Sequence, residues 1–196
     1  MQGGARAEKQ RIRQESRMIS GQLTEEYRRE ASREITRQVL ELPFWKEART
    51  VMAYWSMPTE PDTRELMETA LREGKTLLLP HCVDNKRMIA LPVKDLAAVK
   101  PRTLGIPEPE LRTEAADVPE PDLILVPCVA AAPRGVRLGH GAGYYDRYLP
   151  KLREDAVMVL AAFEEQRLSE IVMEETDVRI PVCISDLACE NYYPGV

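Results

Sequence analysis

The residues best suited to chemistry in this chain lie at positions 134–147, with the sequence RGVRLGHGAGYYDR. Glycine occupies three alternate positions there: 139, 141 and 143. Because glycine tolerates positive φ and close backbone approach, such a loop can turn its N–H groups toward an anion. Arg134 and Arg137 can add positive charge, and Asp146 can hold a divalent cation beside phosphates. The segment therefore predicts a nucleotide-phosphate site with a metal.

The glycine spacing excludes two common phosphate motifs. No Gly-Lys-Ser/Thr follows, so this is not a Walker A loop, and G-x-G-x-G differs from the G-x-G-x-x-G of a first βα turn. A glycine-rich strand-to-helix turn with surface arginines is the alternative interpretation. The flanks favour a ligand site, because 123–126 has the pattern of a buried strand and 144–152 that of a helix. Strand, loop and helix in that order can place an anion at a helix N-terminus.

Hydrophobic periodicity along the chain predicts the elements that position this loop. We predict helices over 9–16, 24–42, 62–73 and 144–152, with Thr24 and Asp62 as N-caps, Glu65 completing a capping box with Asp62, and Leu42-Pro43 ending the second helix. We predict strands over 50–55, 76–79, 88–91, 123–126, 157–162 and 182–184, and surface connections over 94–120. Alternating strands and helices indicate a single α/β domain over residues 1–196, three layers thick, with a largely parallel central sheet flanked by helices.

Composition limits the function classes. The net charge of −5 argues against a broad nucleic-acid surface, and no apolar run approaches a membrane span. Four scattered cysteines without C-x-x-C argue against a structural zinc site; we expect Cys82, Cys128 and Cys183 to be buried thiols. The charged N-terminus carries no apolar signal segment. We expect a cytoplasmic monomer that binds small molecules.

Five short segments together resemble one enzyme family. Residues 137–147 (RLGHGAGYYDR) are similar to the signature of 5-formyltetrahydrofolate cyclo-ligase, also called 5,10-methenyltetrahydrofolate synthetase. Residues 9–13 resemble its K-x-x-L-R, 56–63 its S-x-x-x-E-x-x-T, 74–80 its GK…LP and 105–109 its GI-x-EP. The order and spacing of these segments cover nearly the whole chain.

The resemblance implies a set of site residues. For ATP it implies Lys9, Arg13, Arg137, Leu138, Gly139, His140, Gly141, Ala142, Gly143, Tyr144 and Tyr145. For the folate it implies Trp55, Glu60, His140 and Tyr144, for catalysis Arg137, Tyr145 and Asp146, and for Mg²⁺ Asp146. It also places Gln166 near the site.

The residues alone leave alternatives open. Lys9 and Arg13 share a helix face, which is equally the pattern of a solvated basic surface. Glu60 follows a predicted strand, where ligands bind in open α/β sheets, but an ordinary loop carboxylate fits too. Trp55 can wall a ligand or pack in the core. Adjacent helical residues diverge by about 100°, so one of the two tyrosines at 144 and 145 should face the ligand and the other should pack beneath the helix.

Several positions depart from the family pattern. His140 stands where arginine or an aromatic residue is frequent, Ala131-Ala132 where Phe-Asp is usual, and His81 where a basic residue is common. The family's D-x-x-x-D begins here at Asp177, but Pro181 replaces its second, metal-binding aspartate. Metal binding would then depend on Asp146, ATP and water, as magnesium often allows.

The resemblance implies ATP-dependent conversion of 5-formyltetrahydrofolate, with one glutamate or several, to 5,10-methenyltetrahydrofolate. ATP and Mg²⁺ would be the cofactors. The departures keep a second class open, a folate- or nucleotide-binding relative that has lost turnover or changed its substrate.

Overall fold

The computed structural model of the protein describes residues 2–111 and 118–193. The helices are α1 (Gln2–Gln22), α2 (Glu25–Glu41), α3 (Pro43–Glu47), α4 (Arg64–Arg72) and α5 (Tyr144–Tyr148). The strands are β1 (Thr50–Met52), β2 (Thr76–Cys82), β3 (Met88–Val93), β4 (Lys100–Pro101), β5 (Pro107–Glu108), β6 (Leu123–Val126), β7 (Ala130–Ala132), β8 (Val136–Leu138), β9 (Val157–Ala161), β10 (Val182–Ile184) and β11 (Cys189–Asn191). Short 3-10 helices cover 96–98, 103–105, 149–151 and 164–166.

Seven strands form the central sheet in the order β11-β10-β9-β6-β1-β2-β3. The five inner strands are parallel, and β3 and β11 are antiparallel edge strands. Numbered along the chain, the parallel strands have the doubly wound order 2-1-3-4-5, which reverses between β1 and β6. The connections that leave the carboxyl ends of those two strands run to opposite faces of the sheet, which leaves a crevice between their first residues. The predicted α/β class with a largely parallel sheet is confirmed.

The core lies on both faces of this sheet. Leu79 and Leu125 pack on the side of α2, α3 and α4. Leu78 and Ile124, which alternate with them along the strands, pack on the opposite side against the tyrosines of α5. Each fully buried leucine contributes about 1.5–3 kcal/mol of transfer free energy. The predicted three-layer arrangement is confirmed by these two packed faces.

A two-stranded hairpin, β7–β8, separates β6 from the glycine loop (139–143), and this corrects the sequence interpretation. The strand that leads into the loop is β8, not the predicted strand 123–126. Short alanine and valine runs gave no strand signal of their own. The hairpin packs against α1 through Ile12 and Leu138, which share a small apolar cluster.

Helix boundaries differ from the prediction in four places. The first helix is longer than 9–16, and Pro43 begins α3 rather than ending the helical region, since proline suits a first helical turn. Thr24 does cap α2, because its hydroxyl accepts the N–H of Tyr27. The N-cap of α4 is Thr63 and not Asp62, although the Asp62 carboxylate still accepts the Arg64 N–H. The helix predicted to end at 152 becomes 3-10 after Tyr148.

Strand boundaries differ too. β1 ends at Met52, not at 55. β2 continues to Cys82 and β3 to Val93, beyond their predicted ends at 79 and 91, because the two strands pair as an antiparallel hairpin. The short strands β4, β5 and β11 were not predicted, and β4 and β5 lie within the connection expected over 94–120, of which 112–117 fall outside the described residues. Cys128 and Cys183 are buried as expected, but Cys82 is only half-buried.

Candidate active site

Two loops meet at the crevice between β1 and β6. The loop after β1 carries Trp55 and Glu60 toward α4, and the segment after β6 carries the β7–β8 hairpin and the glycine loop toward α5. The two loops touch where the His140 ring nitrogen Nε2 lies 2.7 Å from Glu60 Oε1. The sequence-predicted phosphate and folate residues therefore adjoin each other in space, 80 positions apart in the chain.

The glycine loop keeps its backbone donors free. Within the described residues, no N–H group of positions 139–143 donates a hydrogen bond to a protein acceptor. Its carbonyls are instead held by arginines. Arg13 Nε donates to the Gly139 carbonyl at 2.9 Å, and Arg147 donates to that of Ala142 at 2.7 Å. Fixed carbonyls and free N–H groups are what an anion-binding loop needs.

Two glycines of the loop are required by its backbone. Gly141 has φ 108° and Gly143 has φ 69°, a region that favours glycine. A Cβ at Gly143 would also lie 2.7 Å from the Arg147 guanidinium. The helix that follows is five residues long, so the phosphate prediction depends on the loop N–H groups and not on a helix dipole.

Arg137 is the central cation beside the loop. Its side chain is 3% exposed, and one terminal nitrogen lies 2.6 Å from Asp146 Oδ1, whose side chain is 26% exposed. The guanidinium lies 5.9 Å from the Tyr145 ring centre, and its Nε has no protein partner in the described part of the chain. A buried donor without a partner costs free energy unless a ligand or water supplies the acceptor.

Glu60 is a buried carboxylate with both oxygens engaged. Oε1 pairs with His140, and Oε2 accepts the Met57 N–H at 2.7 Å. Its side chain is 3% exposed. Burial and the nearby Glu60 carboxylate raise the pKa values of Tyr54 and Tyr145. Both tyrosines are therefore neutral donors at pH 7, and neither hydroxyl has a hydrogen-bond partner within the described residues.

Gln166 braces the site between the two loops. Its amide nitrogen donates to the carbonyls of Thr59 and Val129 at 3.0 and 3.3 Å, and its oxygen accepts the Phe163 N–H at 2.9 Å. The residue next to Glu60 is thereby tied to the strand connection after β6. Gln166 therefore lies beside the candidate site and links the segments on its two sides.

Lys9 lies one helical turn from Arg13, yet its ammonium points at carboxylates. It pairs with Glu174 at 2.7 Å and with Asp177 at 2.5 Å, and its side chain is 6% exposed. Burial disfavours the ammonium, but hydrogen bonds to the two acids outweigh burial and raise the pKa of Lys9. Asp177 of the incomplete D-x-x-x-D is therefore already engaged by a cation.

The other residues singled out in the sequence lie in different surroundings. The Tyr145 ring lies beside the Arg137 guanidinium, whereas the Tyr144 hydroxyl donates to the Asp84 carbonyl at 2.9 Å, in the turn between β2 and β3. Leu138 is buried in the hairpin core, so only its backbone can serve the loop. His81 is also buried, with Nδ1 3.0 Å from the Pro109 carbonyl and close to Glu108.

A cavity of about 500 Å³ extends from Glu60 to α2. Trp55, Met57 and Pro58 line it together with Glu60. This volume is within the range of small-molecule sites, which is ~300–1,000 Å³. Trp55 is half-buried and packs partly against the core. Its position is therefore compatible both with core packing and with forming a wall of a ligand site.

Sequence reasoning missed three contributors to the site. Tyr54 and Cys128 are buried, and burial together with the Glu60 carboxylate raises the pKa values of both groups. Single hydroxyls and thiols in apolar runs carry no motif, so nothing marked them. Arg17 lies 3.5 Å from the His140 carbonyl, and its i, i+4 spacing from Arg13 was a usable signal.

The carboxylates present fit a weakly held magnesium ion. Asp146 is the one acid adjoining Arg137, and no group of three His, Cys, Asp or Glu side chains suited to a metal occurs in the described ranges. Magnesium commonly uses one or two carboxylates together with phosphates and waters. The donor set therefore suits a metal brought in with a nucleotide rather than a preformed protein cage.

Comparison with known proteins agrees with this geometry. The model of the 5-formyltetrahydrofolate cyclo-ligase family matches residues 5–185. A probable 5-formyltetrahydrofolate cyclo-ligase of Schizosaccharomyces pombe is 39% identical over 127 residues, which span 63% of this chain and 62% of that protein. A 5-formyltetrahydrofolate cyclo-ligase of Mycolicibacterium smegmatis is 36% identical, over 66% of this chain and 70% of the relative.

The fold has a close counterpart among solved structures. The 5,10-methenyltetrahydrofolate synthetase of Aquifex aeolicus superposes with a TM-score of 0.83 at 28% identity, covering 96% of this chain and 94% of that one. The chain is thus a member of the 5-formyltetrahydrofolate cyclo-ligase family. Separately, none of the helices in the described ranges has the length and apolar character to cross a membrane.

Proposed function

We propose that this protein converts 5-formyltetrahydrofolate to 5,10-methenyltetrahydrofolate with consumption of ATP and release of ADP and phosphate. The observation that carries the proposal is the contact between His140 and Glu60, because it joins a loop suited to phosphate to a buried carboxylate suited to a pterin. Family membership and the Aquifex aeolicus counterpart support it.

The chemistry has one difficulty, since nitrogen resonance makes a formamide carbonyl a poor electrophile. Transfer of the γ-phosphoryl group of ATP to the formyl oxygen would activate the carbon. The N10 amine would then attack that carbon and lose its proton as phosphate leaves. Phosphoryl transfer depends mainly on positioning and charge neutralisation. A site of free N–H groups and arginines without a protein nucleophile suits such a reaction.

The phosphate side would use the glycine loop together with Arg137. The free N–H groups of 139–143 and the unpartnered Arg137 Nε are donors with no protein acceptor in the described residues. Arg13 engages the loop through one nitrogen, which leaves its terminal nitrogens for a phosphate. Lys9 has three donors, two of them used by Glu174 and Asp177, so a third stays available.

The folate side would use Glu60 against the amino and N–H edge of the pterin, with Trp55 as a wall. Each carboxylate oxygen can accept more than one hydrogen bond, so Glu60 can keep Met57 while it accepts the pterin. Tyr145 would donate its neutral hydroxyl inside this pocket. His140 would hold the loop against the folate from the phosphate side.

Asp146 would hold Mg²⁺ together with ATP phosphates and water, and the ion would neutralise charge during phosphoryl transfer. The net charge of −5 supports a small-molecule substrate over nucleic acid. The monomeric state and the cytoplasmic location stay predictions.

Glu60→Gln tests the folate side. The amide keeps the shape but loses the charge-assisted hydrogen bonds, which are worth about 1.5–3 kcal/mol. We expect the KM for 5-formyltetrahydrofolate to rise at least about tenfold, while the KM for ATP changes less than about threefold. Glu68→Gln, an exposed acid on α4, is the matched control and should leave both constants unchanged. Equal increases in the two constants for Glu60→Gln would contradict a pterin role.

A further inference from the structure

The turn between β2 and β3, residues 83–87, is fastened to α5. The Tyr144 hydroxyl donates to the Asp84 carbonyl at 2.9 Å, and Arg147 Nε donates to the Lys86 carbonyl at 2.7 Å. The Arg147 guanidinium also lies 5.7 Å from the centre of the Tyr144 ring, within range of a cation–π contact. Two side chains of α5 therefore hold a turn that lies 60 and 61 positions away in the chain.

The turn is a firm anchor because the Asp84 side chain closes it from within. Oδ1 of Asp84 accepts the N–H groups of Lys86 and Arg87, each at 2.8 Å, and Oδ2 accepts Arg87 Nε at 2.7 Å. The Arg87 guanidinium and the two N–H groups lower the pKa of Asp84 to about 2, so this carboxylate is ionised at pH 7. The carbonyl that Arg147 contacts thus belongs to a turn whose shape is fixed by its own residues.

Arg147 reaches from this turn to the glycine loop. A terminal nitrogen of its guanidinium donates to the Ala142 carbonyl at 2.7 Å, while Nε keeps the Lys86 carbonyl. A Cβ at Gly143 would lie 2.7 Å from the guanidinium, so the absence of a side chain there makes room for it. Within the described residues this guanidinium contacts two carbonyls and one aromatic ring and no acid. Lysine has a single charged nitrogen and cannot span both carbonyls with a planar fork.

The contact with Ala142 determines the direction of the next N–H group. The carbonyl of Ala142 and the N–H of Gly143 belong to one peptide plane, and in a trans peptide they point in opposite directions. No cis peptide bond occurs in the described ranges. Because Arg147 holds the carbonyl on its own side, the Gly143 N–H points away from the guanidinium. That N–H is one of the loop donors without a protein acceptor in the described part of the chain.

We propose that Arg147 is a positioning residue for the nucleotide, which ties the glycine loop to the β2–β3 turn and keeps the Gly143 N–H directed at the phosphates. The inference rests on the proposed function, which places the phosphates of ATP at this loop. A mobile loop loses conformational freedom when its ligand binds, and a loop that is already held loses less. Arg147 therefore raises the affinity for ATP without contacting ATP.

Three variants separate positioning from direct attraction of phosphate by charge. Arg147→Lys keeps the charge and loses the fork, Arg147→Gln loses both, and Lys151→Gln removes an exposed cation four residues further along as the matched control. The calorimetric Kd for ATP should rise about tenfold in Arg147→Gln and at least about fivefold in Arg147→Lys, because the lost loop order must be regained on binding. It should change less than about twofold in Lys151→Gln. Thermal unfolding of all four proteins ensures that folded protein is compared.

The salt dependence of ATP binding gives a second readout of the same question. Salt screens the attraction between an exposed cation and a phosphate, so removal of a direct contact would flatten the dependence of Kd on salt concentration. We expect both Arg147 variants to keep the wild-type slope. A flattened slope in Arg147→Gln together with full affinity in Arg147→Lys would overturn the inference and assign Arg147 a direct phosphate contact.

Amide relaxation of the nucleotide-free protein tests the loop contact itself. The heteronuclear NOE of the Gly143 amide should fall in both Arg147 variants and keep its wild-type value in Lys151→Gln, because only the former release the Ala142 carbonyl. An unchanged Gly143 amide in both Arg147 variants would overturn the inference. Wild-type protein that does not bind ATP would contradict the proposed function, whereas the NOE of Gly143 decides in the same samples whether Arg147 holds the loop.

Discussion

The turn of the β7–β8 hairpin and the glycine loop lie within ten residues of each other, and each has glycine together with an arginine in it or beside it. Arg134 and Gly135 in the turn have φ of 61° and 72°, and Gly141 in the loop has φ of 108°. The two differ in what their backbone contacts. In the turn, the Gly135 carbonyl accepts the Ile180 N–H at 2.8 Å, whereas the loop N–H groups have no protein acceptor in the described residues.

Glycine and arginine therefore mark a ligand site only where backbone donors stay free. Arg134 is exposed, and its carbonyl accepts a hydrogen bond from Arg179, so this arginine belongs to packing against the C-terminal segment. Arg137 is buried beside Asp146. The sequence pattern treated the two arginines alike, but the structure places Arg134 in the turn before β8 and Arg137 within β8.

The largest expected effect separates these two arginines. Arg137→Gln removes a buried cation at the phosphate site, and we expect kcat to fall on the order of 100-fold or more. Arg134→Gln should keep at least about half of wild-type kcat, since exposed substitutions seldom disturb a site. Thermal unfolding of both variants ensures that kcat is measured on folded protein. Similar losses in the two variants would break the distinction between turn and loop.

Alanine at the two glycines gives the next largest effect, on stability rather than turnover. A Cβ at Gly135 would collide with the Ile180 backbone, so we expect Gly135→Ala to lower the free energy of unfolding by about 2–4 kcal/mol. A Cβ at Gly141 would lie 3.5 Å from the Arg13 guanidinium, and the cost should be near the ~1 kcal/mol of the positive φ alone.

Chemical denaturation measures both glycine variants, and ATP binding completes the test. Gly141→Ala should weaken ATP binding more than its small loss of stability suggests, because the loop N–H groups are disturbed. A smaller loss in the free energy of unfolding for Gly135→Ala than for Gly141→Ala would contradict the structural role of the turn. Unchanged ATP binding in Gly141→Ala would contradict the phosphate role of the loop.

The smallest effect concerns Lys9, which ties α1 to the C-terminal segment that the hairpin turn contacts. Its pKa is raised in the folded state by Asp177 and Glu174 against the effect of burial. A raised pKa means that its stabilisation is complete below the unfolded value of about 10.4 and is lost as pH rises through the folded value.

The difference in melting temperature between wild type and Lys9→Met should therefore be constant from pH 7 to about pH 10 and shrink above it. Calorimetric scans across this range compare the two proteins directly, and the subtraction removes tyrosine titrations common to both. A difference that already disappears between pH 7 and pH 9 would contradict the ion pairs described for Lys9.

Much of the fold followed from local pattern, because buried strands such as Leu123–Val126 and the capped helix α2 have strong periodicity. The hairpin β7–β8 did not, since Ala130–Ala132 carries neither alternation nor β-branched residues. Its position depends on tertiary contacts with α1, which no local pattern encodes.

The candidate site also has a part that local sequence patterns predict and a part that depends on tertiary contacts. Arg137, Asp146 and the glycines were recognisable because they lie within one motif, and Glu60 was placed through family resemblance. The pairing of Glu60 with His140 and the sequestering of Lys9 join residues 80 to 168 positions apart. The contact between Glu60 and His140 follows from the order of the parallel strands, which brings the loops after β1 and β6 together. The contacts of Lys9 depend instead on the packing of α1 against the segment before β10.

Turnover is measured most directly by the absorbance of 5,10-methenyltetrahydrofolate in a mixture of protein, 5-formyltetrahydrofolate, ATP and Mg²⁺, against a blank without ATP. The band should grow only with ATP, and one ADP should appear for each product formed. A flat trace from folded protein that still binds ATP and the folate would contradict the proposed function, and would establish a binding protein without turnover.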